Sequence, residues 1–208
     1  MKPGNQTILW GVVLELGLGL LAVALAWWLG FDLIAELQGF HLSHDLVRGL
    51  LATVPMLLGL WLIERSNWWV MRQFRQLVHE TLVPLFHGSR PIGWAFVALA
   101  AGVGEELLFR GLIQQGLVVW WADSPMPSNE QPAADILTYW SGAVAAWFVA
   151  SLCFGLAHCL TKTYALLAFL VGGYLGALYW YFDSLWIPII AHAFYDFVAI
   201  AYLVNKRQ

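Results

Sequence analysis

Six times along the chain an apolar run continues long enough to cross a lipid bilayer, and that repetition constrains the fold more than any motif does. A crossing helix needs about 20 predominantly apolar residues to traverse the hydrocarbon layer. Residues 8–29 form the first run, interrupted only by Glu15. The stretch 22–26 resembles a signal-peptidase site. Only Lys2 stands in front of it, however, and the apolar run continues through Trp27 and Trp28, so an uncleaved span is expected. The other runs are 46–63, with Arg48 able to snorkel near its end, then 91–121, about 136–160, 164–182 and 185–204. Inside lipid every backbone N–H and C=O must be satisfied within its own segment, so such runs are helices. The expected fold is an all-α, polytopic membrane helical bundle forming a single membrane domain over residues 1–208. Its motif-bearing catalytic core spans about 91–204.

Composition agrees and closes off other classes. Hydrophobic residues make up 61% of the 208 residues and charged ones 11%, and the mean hydropathy is +0.70. A soluble fold of this size lacks the interior to hide so much apolar surface. The net charge of −3 provides no basic patch for nucleic acid. Cys153 and Cys159 are six apart, do not form a CxxC spacing, and are expected to be small buried hydrophobes. No internal repeat is evident.

Residues 64–90 depart from the spanning pattern. Trp68, Trp69, Met71, Phe74, Leu77, Val78, Leu82, Leu85 and Phe86 recur at helical intervals with Arg65, Arg72, Arg75 and His79 between them. This predicts an amphipathic helix lying in the membrane interface. Basic residues also set an orientation. Lys2, Arg65, Arg72, Arg75, Arg90, Lys162, Lys206 and Arg207 fall on one side of a six-span topology, and the linkers 31–45, 122–135 and 183–184 carry neither Lys nor Arg. By the positive-inside rule both termini are expected in the cytoplasm.

A charge at the bilayer centre costs roughly 2.5–3.5 kcal/mol even on the lenient insertion scale. The intramembrane ionisable groups Glu15, Glu105, Glu106, Arg110, His158, His192 and Asp196 therefore need a function. Glu106 and Arg110 are four apart and share a helical face, so they can pair. Glu105 is rotated by about 100° and is left without a cation of its own, available as a general base. Gly102 and Gly104 just upstream allow another backbone to approach closely. His158 shares a face with Phe154. His192 and Asp196 are four apart, and Asp196 is expected to orient the imidazole. A structural ion cluster would account for any one of these groups. Three spans each contributing polar residues instead point to a convergent Glu–His–His set able to activate water and stabilise an oxyanion, that is, hydrolysis. Depth is a difficulty for His192. Glu105 lies about 22 Å below Trp120 by helical rise, whereas His192 is only six residues from Trp186 and counts as shallow from the outside.

EELLFRG at 105–111, FGLAH at 154–158 and HAFYD at 192–196 resemble, in order and spacing, the three motifs of the CAAX-protease and bacteriocin-processing (CPBP, abortive-infection-like) family of intramembrane proteases. The resemblance implies an all-helical membrane endopeptidase acting on a membrane-associated or lipidated protein or peptide. By it, Glu105 with His158 activates the attacking water, and His192 with the residue at 196 forms the oxyanion side. Glu106 and Arg110, with Phe154, hold the architecture. The family often carries Asn at the last position. Asp196 accepts hydrogen bonds but does not donate them when ionised, so orienting His192 is its expected role. The family is commonly labelled metalloprotease. The chain has no HExxH, but His158 and His192 with Glu105 or Asp196 could supply three zinc ligands. A water activated directly by Glu105 needs no metal, and that mechanism is expected. Two other classes remain: a non-catalytic immunity or scaffold protein using the same cavity to bind a partner, and an ion-coupled transporter, disfavoured by the lack of paired half-sequences.

Overall fold

A computed structural model describes residues 3–122 and 133–206. The molecule is all-helical, 87% helix, with no strand among the described residues. Helix α1 spans Pro3–Trp28, α2 Ala35–Gln38, α3 Leu42–Arg65 and α4 Trp69–Leu77. Helix α5 spans Pro91–Glu106, α6 Gly116–Ala122, α7 Ala133–Ala157, α8 Lys162–Phe182 and α9 Trp186–Asn205. Six helices are long and apolar enough to cross a membrane: Gly4–Trp28, Leu42–Arg65, Pro91–Trp121, Trp140–Ala157, Lys162–Phe182 and Trp186–Asn205. Large apolar side chains such as Leu14, Leu20, Trp27, Leu51, Val54, Leu166 and Leu170 point outward, as they do when lipid is the solvent. The chain is an integral membrane protein.

Helix ends differ from the apolar runs where local polar chemistry intervenes. The second span starts at Leu42 because the buried Asp45 carboxylate accepts from the His41 N–H at 2.8 Å, closing a polar first turn ahead of the apolar run. The amphipathic stretch is helical from Trp69 but not uniformly α. It widens to a π turn over Val78–Leu82 and tightens to a 3-10 turn over Val83–Phe86. Pro84 has no N–H to donate, so the α ladder cannot run through it. Its buried Val78 and Val83 pack with Trp94 and Val204, so one face closes off an end of the bundle. Arg75 ties this segment to α3, donating from Nη1 to the carbonyls of Ile63 (2.5 Å) and Ser66 (2.7 Å) at that helix's C-terminus. The Pro-rich loop predicted over 122–135 lies largely outside the described residues.

Helices α5 and α9 pack against each other at the centre, with α1 on the outer side of α5, α3 on α9, and α7 against α8. Two glycines set the central approach. A Cβ on Gly102 would lie 2.8 Å from the Ala193 Cβ and 2.9 Å from the Ile189 carbonyl oxygen, and one on Gly104 would strike the carbonyl of Glu15. Only glycine lets α1 and α9 close on α5 at this level. The third span continues from α5 into α6 through a π-wound segment, Leu107–Gln115. That segment directs Arg110 and Gln114 toward α8, where they donate to the carbonyls of Gly172 (2.8 Å) and Gly176 (3.1 Å).

Candidate active site

Glu106 is the hub of the polar cluster. Its side chain is fully buried, with one oxygen 3.0 Å from Arg110 Nε and the other accepting from His192 Nδ1 at 2.7 Å. The first contact is the i, i+4 pair predicted from helical spacing. The second joins the third span to the sixth and comes from packing alone. It also alters the expected role of Asp196. The His192 ring meets Glu106 through Nδ1, and Asp196 Oδ2 lies 3.6 Å from Nε2, beyond hydrogen-bond length. Glu106, expected to serve Arg110, is thus the closer orienting partner of His192.

Arg110 is 1% exposed and is matched on several sides. It faces Glu106, donates to Gly172, and lies 4.7 Å over the Phe154 ring. Phe154 also stacks on the His158 ring at 4.6 Å and meets His192 edge-on at 5.9 Å. The supporting residue predicted on α7 is therefore the partition between the arginine and both imidazoles.

His158 sits just beyond the end of α7. The Phe154 carbonyl oxygen, 2.9 Å from His158 Nδ1, can only accept, so Nδ1 carries hydrogen. The neutral ring then presents the Nε2 lone pair to Glu105 Oε2 at 3.7 Å. That oxygen is buried and has no hydrogen-bond partner among the described residues. Glu105, His158 and His192 are thus brought together, as their spans predicted.

The Trp186 indole donates to the Leu37 carbonyl at 2.9 Å, tying the start of α9 to the linker that carries α2. Leu185 and Ile187 are fully buried, so α9 begins inside the protein, and Pro188 is accommodated in its first turn without a break.

His158, His192 and Asp196 open onto a cavity of about 530 Å³ between α3, α4, α7, α8 and α9. Its walls are mostly apolar, Glu64 and Arg75 line it away from the motif residues, and Tyr164 and Tyr195 line it beside them. Glu15 is the residue the motif pattern missed. Its backbone carbonyl lies against Gly104 in the α1–α5 contact, one residue from Glu105, and its Oε2 is buried with no hydrogen-bond partner among the described residues. Its only sequence signal was a lone carboxylate in an apolar run.

The resemblance leaves zinc as an alternative to the metal-free mechanism. Among the described residues no three His, Cys, Asp or Glu side chains converge closely enough to hold a metal ion, and His192 has Nδ1 engaged by Glu106. A sequence-family model described as type II CAAX prenyl endopeptidase Rce1-like matches residues 87–198, a little over half of the chain, and covers all three motifs. No curated protein and no solved structure matches the chain.

Proposed function

The chain belongs to the type II CAAX prenyl endopeptidase Rce1-like family, and from that membership we propose that it hydrolyses a peptide bond of a membrane-associated or lipidated protein or peptide, using a water activated by Glu105 and His158. The observation that carries this reading is the facing pair itself. Glu105 Oε2 and the His158 Nε2 lone pair are both acceptors, 3.7 Å apart. Two acceptors at that distance need hydrogen between them, and one water donates to both. Its lone pairs then point away from the pair, available to a carbonyl carbon. As the oxygen attacks, its proton passes to Glu105, which later returns it to the leaving amine. Glu106 holds His192 in place from behind, and Arg110 fixes Glu106 from its other oxygen.

The donors do not converge on a metal site, so no step is routed through one. Activity is expected to persist in chelator and in metal-free preparations. The asymmetry of Lys and Arg supports reading the cavity as cytoplasmic, with both termini in the cytoplasm and the tryptophan-bearing amphipathic segment in the interface beside it.

Comparing membrane peptidomes of cells carrying wild-type or Glu105→Gln protein tests the reading. A fragment present only with the wild type, its intact parent persisting with Glu105→Gln, is the expected result. Identical peptidomes with the protein's phenotype retained would instead favour a non-catalytic immunity or scaffold role for the same cavity.

A further inference from the structure

Water addition to a carbonyl places negative charge on the carbonyl oxygen, and that charge needs hydrogen-bond donors aimed at it. The described motif residues are short of them. Asp196 as a carboxylate only accepts. His192 gives the hydrogen on Nδ1 to Glu106 at 2.7 Å, and Nε2 of the neutral ring, 3.6 Å from Asp196, then carries only a lone pair. Arg110 lies behind Phe154 with Nη2 committed to Gly172. Of the cavity's phenols, Tyr174 spends its hydroxyl on the Ala52 carbonyl at 2.8 Å. The hydroxyls of Tyr164 and Tyr195 make no hydrogen bond among the described residues, and both residues line the cavity.

Tyr164 is the better placed of the two. Its ring lies 6.0 Å from that of His158, which faces Glu105 across 3.7 Å. Three constraints hold it. Its N–H donates to the Thr161 hydroxyl at 3.2 Å in the first turn of α8. Its ring stacks on Phe74 of α4, centroids 5.6 Å apart and planes 24° apart, and lies 6.0 Å from the His158 ring.

Resting on the hydrolytic reading above, we propose that Tyr164 is a further catalytic residue, whose hydroxyl donates a hydrogen bond to the substrate carbonyl oxygen as Glu105 and His158 deliver water to the carbon. The water oxygen–carbon bond forms, and the carbonyl π pair moves onto the oxygen that Tyr164 holds. The water proton goes to Glu105. On collapse the pair returns, the carbon–nitrogen bond breaks, and Glu105 gives its proton to the departing amine. Tyr164 keeps its own proton throughout.

The test uses full-length protein in lipid vesicles and a synthetic membrane-anchored peptide carrying the cleavage sequence recovered from the peptidome comparison. Tyr164→Phe keeps the ring and its stack on Phe74 and removes only the donor. The expected result is a kcat lower by about 100-fold, the scale of one lost oxyanion donor, with KM and melting temperature unchanged. Adding Asp196→Asn, which places an amide donor on the same wall, is expected to recover part of the loss. A wild-type kcat in Tyr164→Phe, or a change confined to KM, overturns the proposal while leaving an inactive Glu105→Gln, and the hydrolytic reading, intact. Cleavage at wild-type rate by Glu105→Gln overturns both. If Tyr164→Phe misfolds, a fluorinated tyrosine at position 164, with a more acidic hydroxyl, is expected to raise kcat, and an unchanged kcat overturns the proposal.

Discussion

Glu106 illustrates how a single buried carboxylate can organise a site. Arg110 and His192 approach it from opposite sides, and all three are shielded from solvent. Removing one member of a buried charged set costs more than the set contributes, because its partners are left buried and unpaired. Glu106→Ala is therefore expected to lower unfolding free energy by roughly 3–5 kcal/mol, read as a lower melting temperature in detergent. Glu105→Gln is expected to abolish cleavage with melting unchanged, since Glu105 Oε2 has no hydrogen-bond partner among the described residues. The Glu106–Arg110 pair was legible in sequence because helical spacing alone brings residues four apart together. The His192–Glu106 bond was not, because 86 residues separate the partners and only packing decides the contact. Nor was Glu15 assignable to the site, since nothing in its own run indicates which helix α1 lies against.

Helices bring these side chains together only if they approach closely enough, and α5 meets α9 at Gly102. Gly102→Leu is expected to force the two apart, cost about 1–3 kcal/mol through overpacking, and weaken cleavage by breaking the His192–Glu106 contact. Gly17 has open space around it, so Gly17→Leu is the control expected to melt and cleave as wild type. Most of the elements were readable from hydropathy, because a lipid solvent imposes both a length and an apolar composition on each span. Their ends were less so. Asp45 starts α3 ahead of its apolar run, Pro84 divides the amphipathic segment, and His158 falls past the end of α7 rather than within it. Each is set by a particular hydrogen bond, or by the lack of a donor, to which average hydropathy is blind. Hydropathy is equally blind to the Trp186 indole, which ties the start of α9 to the linker before α3.

At the scale of the whole molecule, the proposed orientation rests on the asymmetry of Lys and Arg between the two sides. Cys159 is exposed, beside the motif histidine and near Lys162, and Cys153 is partly buried in α7. A membrane-impermeant maleimide is expected to label Cys159 in inside-out vesicles and not in right-side-out ones; labelling only in the latter would invert the proposed topology. The central claim is that Glu105 and His158 act together on one water. The most direct test is the rate of peptide hydrolysis in reconstituted vesicles by wild type, Glu105→Gln, His158→Ala and the double variant. Residues that act as a unit are strongly non-additive, so the account predicts that each single variant loses as much activity as the double. Independent losses that multiply in the double variant, or wild-type cleavage by either single variant, would contradict it.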